Sequence, residues 1–341
     1  MDWMKLKENR SDWQIFKMRA DVIDSIRHFF KSEGFLEVQT PVMSPSLIPE
    51  SYLEVFQTEL KDKLGRKTKA FLTPSPEIWH KKLLAAGSGN IFEITKSFRN
   101  TDIGGHFHNP EFTLLEWYRT KADYKDTMVD CENLIREINL GKSEINYQGN
   151  VIKINGPFEK VSVAEAFERY TGIKVDKLFD REVLKKFVKK KRYRLSGDCS
   201  WDDLHNLIFL TEIEPKLGFG KPTILFDFPA QFAPLAKTSS SDPRFKERFE
   251  LYICGVELAD AYNELADPVE QERQLKKEMR LRKKAGMISH PFDNDFIAAL
   301  RSGLPDCSGV ALGVDRLMMI MTDKTDINQV LLFSGEEIFN L

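Results

Sequence analysis

Residues Arg248–Tyr262 read RFELYICGVELADAY, and the fold turns on how this run is laid out. Apolar residues alternate with polar ones on both sides of Cys254–Gly255. That is the pattern of two half-buried strands joined by a two-residue turn. A two-residue loop pairs Ile253 with Val256 and Tyr252 with Glu257. Glu250 then shares a face with Glu257 as a diagonal neighbour. Two carboxylates so close repel, and burial drives one towards protonation unless a cation joins them. Mg²⁺ carried on substrate phosphates suits the pair, because it takes few protein carboxylates. A solvent-facing sheet side would explain the same residues without any cation, and the hairpin alone leaves both readings open. Glu264 lies an odd seven residues beyond Glu257. In a plain strand it faces the other way, so it joins the same site only through a bulge or bend.

Working outward, PTILFDFP (222–229), NIFEITKSFRN (90–100) and EFTLLEWYRT (111–120) read as strands, and EINYQGNVIKI (144–154) as a hairpin turning at Gly149. FLEVQTP (35–41) is a short strand stopped by Pro41, and AFLTPSPE (70–77) a strand running into a loop. A helix is predicted over Ser11–Lys31, with Ser11 and Gln14 at capping-box spacing and one broad apolar face from Ile15 to Phe30. Further helices are expected at 76–87, 123–140, 268–286 and from about Asp315, followed by the apolar stretch INQVLLF. Residues 155–220 read as a helical insertion whose centre, REVLKKFVKKKRYR (181–194), is strongly basic. That centre is either a solvated helix face or a docking patch for an acidic partner. The strands come mostly without βαβ alternation, so the expected fold is α+β, an antiparallel sheet flanked by helices.

The bulk composition narrows the function. With 341 residues, 42% of them hydrophobic, the chain can bury a substantial core. Its 50 Lys+Arg against 52 Asp+Glu lack the basic excess of a dedicated nucleic-acid binder. Cys131, Cys199, Cys254 and Cys307 form no CxxC pair, which argues against a zinc ribbon or a disulfide framework. No apolar run approaches the roughly 18 residues that span a bilayer. A soluble, cytoplasmic protein is the expectation.

Two other stretches carry candidate chemistry. In SFRNTDIGGHFHNPEF (97–112), Arg99 ends a strand before a Gly-rich loop, where its planar fork could clamp a phosphate, and Phe112 could stack on a flat ring. A surface arginine and a core phenylalanine would look the same. His106 and His108, with no third ligand nearby, make a weak case for a metal. In GVALGVDRL (309–317), Arg316 opens a helix and could hold a second phosphate or cover an aromatic ring. The glycine spacing there is not that of a dinucleotide loop.

EGFLEVQTP, SFRN…HNPEF and GVALGVDRL together resemble, in order, the three signature motifs of class II aminoacyl-tRNA synthetases. HNPEFTLLEWY and ELADAYNELADP are similar to the lysyl branch, and the similarity spans about residues 15 to 335. Motif 1 would cover about 22–42, motif 2 about 92–119 and motif 3 about 305–323, within one catalytic domain over 1–341. Motif 1 begins within the first forty residues, so the anticodon-binding OB domain of lysyl-tRNA synthetases is not expected here. The chain therefore resembles the truncated lysyl-type paralogues that place β-lysine on a lysine of elongation factor P.

The resemblance implies ATP and Mg²⁺ as cofactors, lysine or β-lysine as substrate, elongation factor P as acceptor, a homodimer formed through motif 1, and no role for tRNA or a membrane. Arg99, Arg316 and Glu257 would be catalytic. Asn100, Thr101, Asn109, Phe112, Leu258 and Gly313 would join them around ATP, with Glu250 and Glu257 on Mg²⁺. Ser75, Pro76, Glu77, Glu116, Tyr118, Asp260, Glu264 and Ala311 would meet the amino acid, the carboxylates taking its ammonium groups.

Two positions depart from the family. Thr101 stands where motif 2 has a glutamate, with Asp102 as a possible substitute. Asp260 replaces an asparagine close to the amino-acid carboxylate, which it would repel unless a cation intervenes. Ala311 stands where lysyl-tRNA synthetases have glycine and the β-lysine ligases alanine. A ligase acting on tRNA, ammonia or a small molecule, and a non-catalytic regulatory paralogue, are the alternatives.

Overall fold

The computed structural model describes residues 7, 13–101, 103–139, 141–195 and 197–340. Ser11 and Asp102 lie outside the described residues. The first strands are β1 (Leu36–Glu37), β2 (Met43–Ser44), β3 (Gln57–Lys61) and β4 (Lys67–Leu72). β5 (Ile91–Phe98) and β6 (Glu111–Thr120) flank the Gly-rich loop, and β7 (Glu144–Tyr147) and β8 (Asn150–Lys153) form a small separate hairpin. Then come β9 (Glu159–Ser162), β10 (Thr223–Pro229), β11 (Phe245–Ile253), β12 (Val256–Asn263) and β13 (Cys307–Gly313).

Eight of these strands form the main sheet, in the order β1-β5-β6-β13-β12-β11-β10-β9. It is antiparallel through its middle, and only the edge pairs β1–β5 and β9–β10 are parallel. The expected fold class holds. The central hairpin has the expected pairs, Ile253 with Val256 and Tyr252 with Glu257. Cys254 and Gly255 both take positive φ, 48° and 74°, as a two-residue turn that follows the strand twist requires.

Period-two alternation sorts the sheet into two faces. Leu115, Trp117, Leu251, Ala259, Val310 and Leu312 point to one side and join Val22, Ile26 and Phe30 of helix Trp13–Ser32 in the main core. Leu134 and Ile135 of helix Tyr124–Ile138 and Met318 and Met319 of helix Val314–Met321 complete that layer. Asp315 fastens it, accepting from the Thr113 backbone N–H at 2.6 Å and pairing with Arg19 at 2.7 Å. The other sheet face opens on a cavity. Among the described residues, no helix is long and apolar enough to cross a membrane.

Several elements differ from expectation. The 155–220 region is helical from Val163 onward, with a second core around Phe167, Leu184, Ile208 and Phe245. Its opening residues, however, form β9 and extend the main sheet. FLEVQTP pairs over only two residues, because the chain then turns away from the β5 edge. β3, β13 and helix Asn294–Gly303 were not expected from the sequence. In β13 the residues CSGVALG carry too little side chain to show an alternating pattern.

Candidate active site

The cavity encloses about 630 Å³ and lies on the polar face of the sheet. Its floor consists of lateral rows of residues set by strand register. One row runs Glu93, Glu116, Ala311, Asp260, Glu250 across β5, β6, β13, β12 and β11. A parallel row holds Tyr118, Gly309, Tyr262 and Arg248. Small residues on β13 keep the middle of the floor low. A Cβ at Gly309 would sit 2.6 Å from the Glu264 Oε1 and 2.9 Å from Tyr118 Cδ1, so no side chain fits there.

The bulge that Glu264 requires is present. Tyr252 opposes Glu257 but Leu251 opposes Ala259, which leaves Leu258 as an extra residue in β12. The extra residue reverses the alternation, and Glu257, Asp260, Tyr262 and Glu264 all line the cavity. It also places Asp260, not Ala259, directly opposite Glu250.

Those neighbouring carboxylates are joined by a cation that sequence reasoning missed. Arg248 donates to both oxygens of Asp260, at 2.7 and 3.1 Å, and to Glu250 at 2.6 Å, while its guanidinium lies 4.4 Å from the Phe228 ring centroid. The cation that an aspartate at 260 demanded is therefore built into the chain. Its signal was its position two residues before Glu250 on one strand face. Burial, and then the nearby Glu257 and Asp260, push Glu250 up to about 8 against the pull of Arg248. Tyr252 also donates to Glu250. Glu214, another carboxylate at the cavity wall, is raised to about 7 by burial and by Glu257.

At the end of the cavity beside helix Glu77–Ala85 the polar groups interlock. Ser75 donates to Glu116 at 2.6 Å, and the Tyr118 hydroxyl donates to the other oxygen at 3.0 Å. Tyr262 donates to Glu77 at 2.8 Å. The fully buried Lys81 bridges Glu77 and Glu264, lying 2.6 Å from the latter. Burial raises Glu264 to about 8 although Lys81 opposes the rise. Lys81 was missed, yet its spacing of four from Glu77 on a helix puts both on one face.

The opposite end carries two arginines. Arg99 lines the cavity with its guanidinium 5.1 Å from the Phe112 ring centroid. Arg316, at the start of helix Val314–Met321, donates to the Glu257 carbonyl at 2.9 Å and lies 3.3 Å from its carboxylate. It also approaches His108 Nε2 at 3.0 Å, while His106 turns to Asp326. Among the described residues no group of three His, Cys, Asp or Glu side chains could hold a metal. The oxygen donors of Glu250 and Glu257 suit a hard cation such as Mg²⁺, and the repulsion between them is the charge such a cation would relieve.

Ser75, Glu77, Asn109, Phe112, Glu116, Tyr118, Leu258, Gly313 and Ala311 also line the cavity. Asn109 is tied as well to the Gly335 backbone N–H at 2.8 Å. Three expected residues stand apart from the lining. Asn100 donates to the Val55 carbonyl at 3.2 Å, Thr101 is exposed beyond the end of β5, and Pro76 caps helix Glu77–Ala85.

Residues 1–337 match the family model for class II tRNA synthetases of the D, K and N type. The chain is 37% identical over 93% of its length to an elongation factor P–(R)-β-lysine ligase of Hamiltonella defensa, covering 94% of that protein. It is 39% identical over 92% of its length to the ligase of the same name from Proteus mirabilis, covering 93% of it. Against a lysine–tRNA ligase of Chloroflexus aurantiacus the identity is 35% over 97% of this chain and 67% of that protein. By its sheet, its cavity and its sequence, this chain belongs to the class II tRNA synthetases.

Proposed function

We propose that this chain is an ATP-dependent ligase that activates lysine or β-lysine as an aminoacyl-adenylate and transfers it to a lysine side chain of elongation factor P. The observation that carries the reading is the division of one cavity into two ends. Arg99, Phe112 and Arg316 stand at one end, and Glu77, Glu116, Tyr118 and Glu264 at the other. A planar base and its phosphates suit the first set, ammonium groups the second.

In the first step the amino-acid carboxylate attacks the α-phosphorus of ATP and pyrophosphate leaves. Arg99 would neutralise charge developing on the α-phosphoryl oxygens, and Arg316 would hold the far end of the triphosphate. Glu250 and Glu257 would hold Mg²⁺, which supplies charge neutralisation to the phosphates when bound. In the second step the acceptor amine attacks the acyl carbon, AMP leaves and the amine gives up a proton. No covalent enzyme intermediate is needed, so catalysis rests on placement and electrostatics.

The acceptor assignment draws on the names of the two relatives of matching length. A cytoplasmic homodimer belongs to the same reading. The dimer is supported by the exposed apolar residues Trp13, Leu36, Phe333 and Phe339. Amino-acid-dependent pyrophosphate exchange, followed by mass spectrometry of elongation factor P, tests the function. Exchange with no amino acid would remove the ligase reading. Transfer to tRNA in place of the protein would remove the acceptor.

A further inference from the structure

His80 has no part in the roles above. It lies on helix Glu77–Ala85 with no exposed surface, between two carboxylates of the floor row. Its Nε2 is 2.9 Å from Glu93 Oε2, and its Nδ1 is 3.3 Å from Glu116 Oε1. Glu93, at the end of the row, does not line the cavity and is held by Thr40, whose backbone N–H and hydroxyl each donate at 2.8 Å. Glu116 is the carboxylate that Ser75 and Tyr118 also grip. The Tyr118 ring stands edge-on to the imidazole at 5.4 Å.

A neutral imidazole has one donor nitrogen and one acceptor nitrogen. Set between two carboxylates, it would turn a lone pair on one of them. Only the imidazolium presents an N–H to both: Nε2 makes the hydrogen bond to Glu93, while Nδ1, which has no hydrogen-bond partner, stands at ion-pair distance from Glu116. We propose that His80 is a positioning residue of the amino-acid end: an imidazolium, anchored by Glu93, that holds Glu116 in place to receive a substrate ammonium. This rests on the amino-acid-activating reading of the cavity.

The charges around it agree. With every carboxylate ionised, Glu93, Glu116, Glu77 and Glu264 face His80 and Lys81 and sum to a formal −2; the ligand-free group holds a proton on Glu264, which burial raises to about 8, and a bound ammonium would displace it. A substrate bringing two ammonium groups matches that deficit, whereas a neutral His80 would deepen it. Burial opposes the charge on His80, but the flanking carboxylates Glu116 and Glu93 outweigh it and raise the group to about 9. Lys82, the next cation along the helix, points instead to Asp293 and Asp295.

Two measurements test this. In ligand-free protein labelled with ¹⁵N-histidine, the His80 ring nitrogens should both remain protonated at pH 7.5. A neutral tautomer there would overturn the proposal without reference to activity. In pyrophosphate exchange, His80→Gln and Glu93→Gln should each raise KM for the diamino acid at least tenfold. KM for ATP should stay within twofold. The wild-type KM should also climb near pH 9 more steeply than that of His80→Gln, in which only the substrate's own amino groups titrate. A merely structural role would lower thermal stability, disturb both KM values alike and leave the steepness of that climb unchanged. Active wild type with an unaffected His80→Gln would sink the proposal and leave the ligase reading standing. Inactive wild type with every amino acid would sink the reading itself.

Discussion

Arg248 holds the hairpin together electrostatically, and replacing it with methionine isolates that role. Met keeps most of the length and the packing on Phe228 but removes every donor. The Asp260 and Glu250 carboxylates, directly opposed on adjacent strands, are then left facing each other, and the Phe232 carbonyl loses its donor. Breaking a buried ion pair from one side costs about 3–5 kcal/mol. The Asp260 side chain is 34% exposed, so water recovers part of that cost and the low end, about 3 kcal/mol, is expected. Unfolding entropy scales at about 2.1 cal/mol/K per residue, or about 0.7 kcal/mol/K for 341 residues, so Arg248→Met should lower Tm by about 4 °C. Adding Asp260→Asn to Arg248→Met removes one stranded charge and should restore about half the loss. Thermal unfolding followed by circular dichroism, run as a double-mutant cycle, measures both. A Tm within 1 °C of wild type for the single variant, or no recovery in the double, would refute the ion-pair account.

Other outcomes follow from the floor of the cavity. Ala311→Gly removes the methyl between Glu116 and Asp260 and should shift preference towards α-lysine by about 1–3 kcal/mol, read as the ratio of kcat/KM for α- and β-lysine. An unchanged ratio would deny the methyl a role in selection. Gly309→Ala must displace both Glu264 and the Tyr118 ring, so amino-acid KM should rise at least tenfold with ATP KM nearly constant. A normal amino-acid KM would mean that the ligand does not reach this part of the floor.

Stability of the ligand-free protein should fall as pH rises. Glu250 and Glu264 are pushed from 4.5 to about 8, and His80 from 6.5 to about 9. Groups raised in the folded state add stability that is complete below their unfolded values and lost through their folded ones. Tm should therefore decline between about pH 5 and 9, and Mg·ATP should flatten the part due to Glu250. A Tm that is constant over that range would contradict the burial of these groups.

Much of the site was legible before any coordinates. Alternation around Cys254–Gly255 predicts the observed hairpin register, and the parity of Glu257 and Glu264 demands the bulge found at Leu258. What alternation could not reveal was pairing across the bulge. It is the one-residue shift that sets Asp260 opposite Glu250 and within reach of Arg248. In RFKERFELYI, Arg248 is one charge among several and reads as solvent-facing. Asn100 and Thr101 follow Arg99 in sequence, but the chain leaves the sheet after Phe98 and carries them out of the cavity. His80 and Lys81 read as ordinary helix residues, because their carboxylates come from strands distant in sequence.

The rows of the floor also limit how such a cavity can change its ligand. Moving a charge to the next strand shifts it by roughly 4.8 Å, and moving it along one strand on the same face shifts it by roughly 6.7 Å. Two isomers whose amino groups differ by one carbon differ by only about 1.5 Å. The sheet is too coarse a grid for that distinction. Increments of the needed size come only from side-chain length at a fixed address, such as aspartate for glutamate or alanine for glycine. Isomer choice in this architecture is therefore a matter of vernier adjustment at positions like 260 and 311, while the grid itself decides only how many charges the ligand brings.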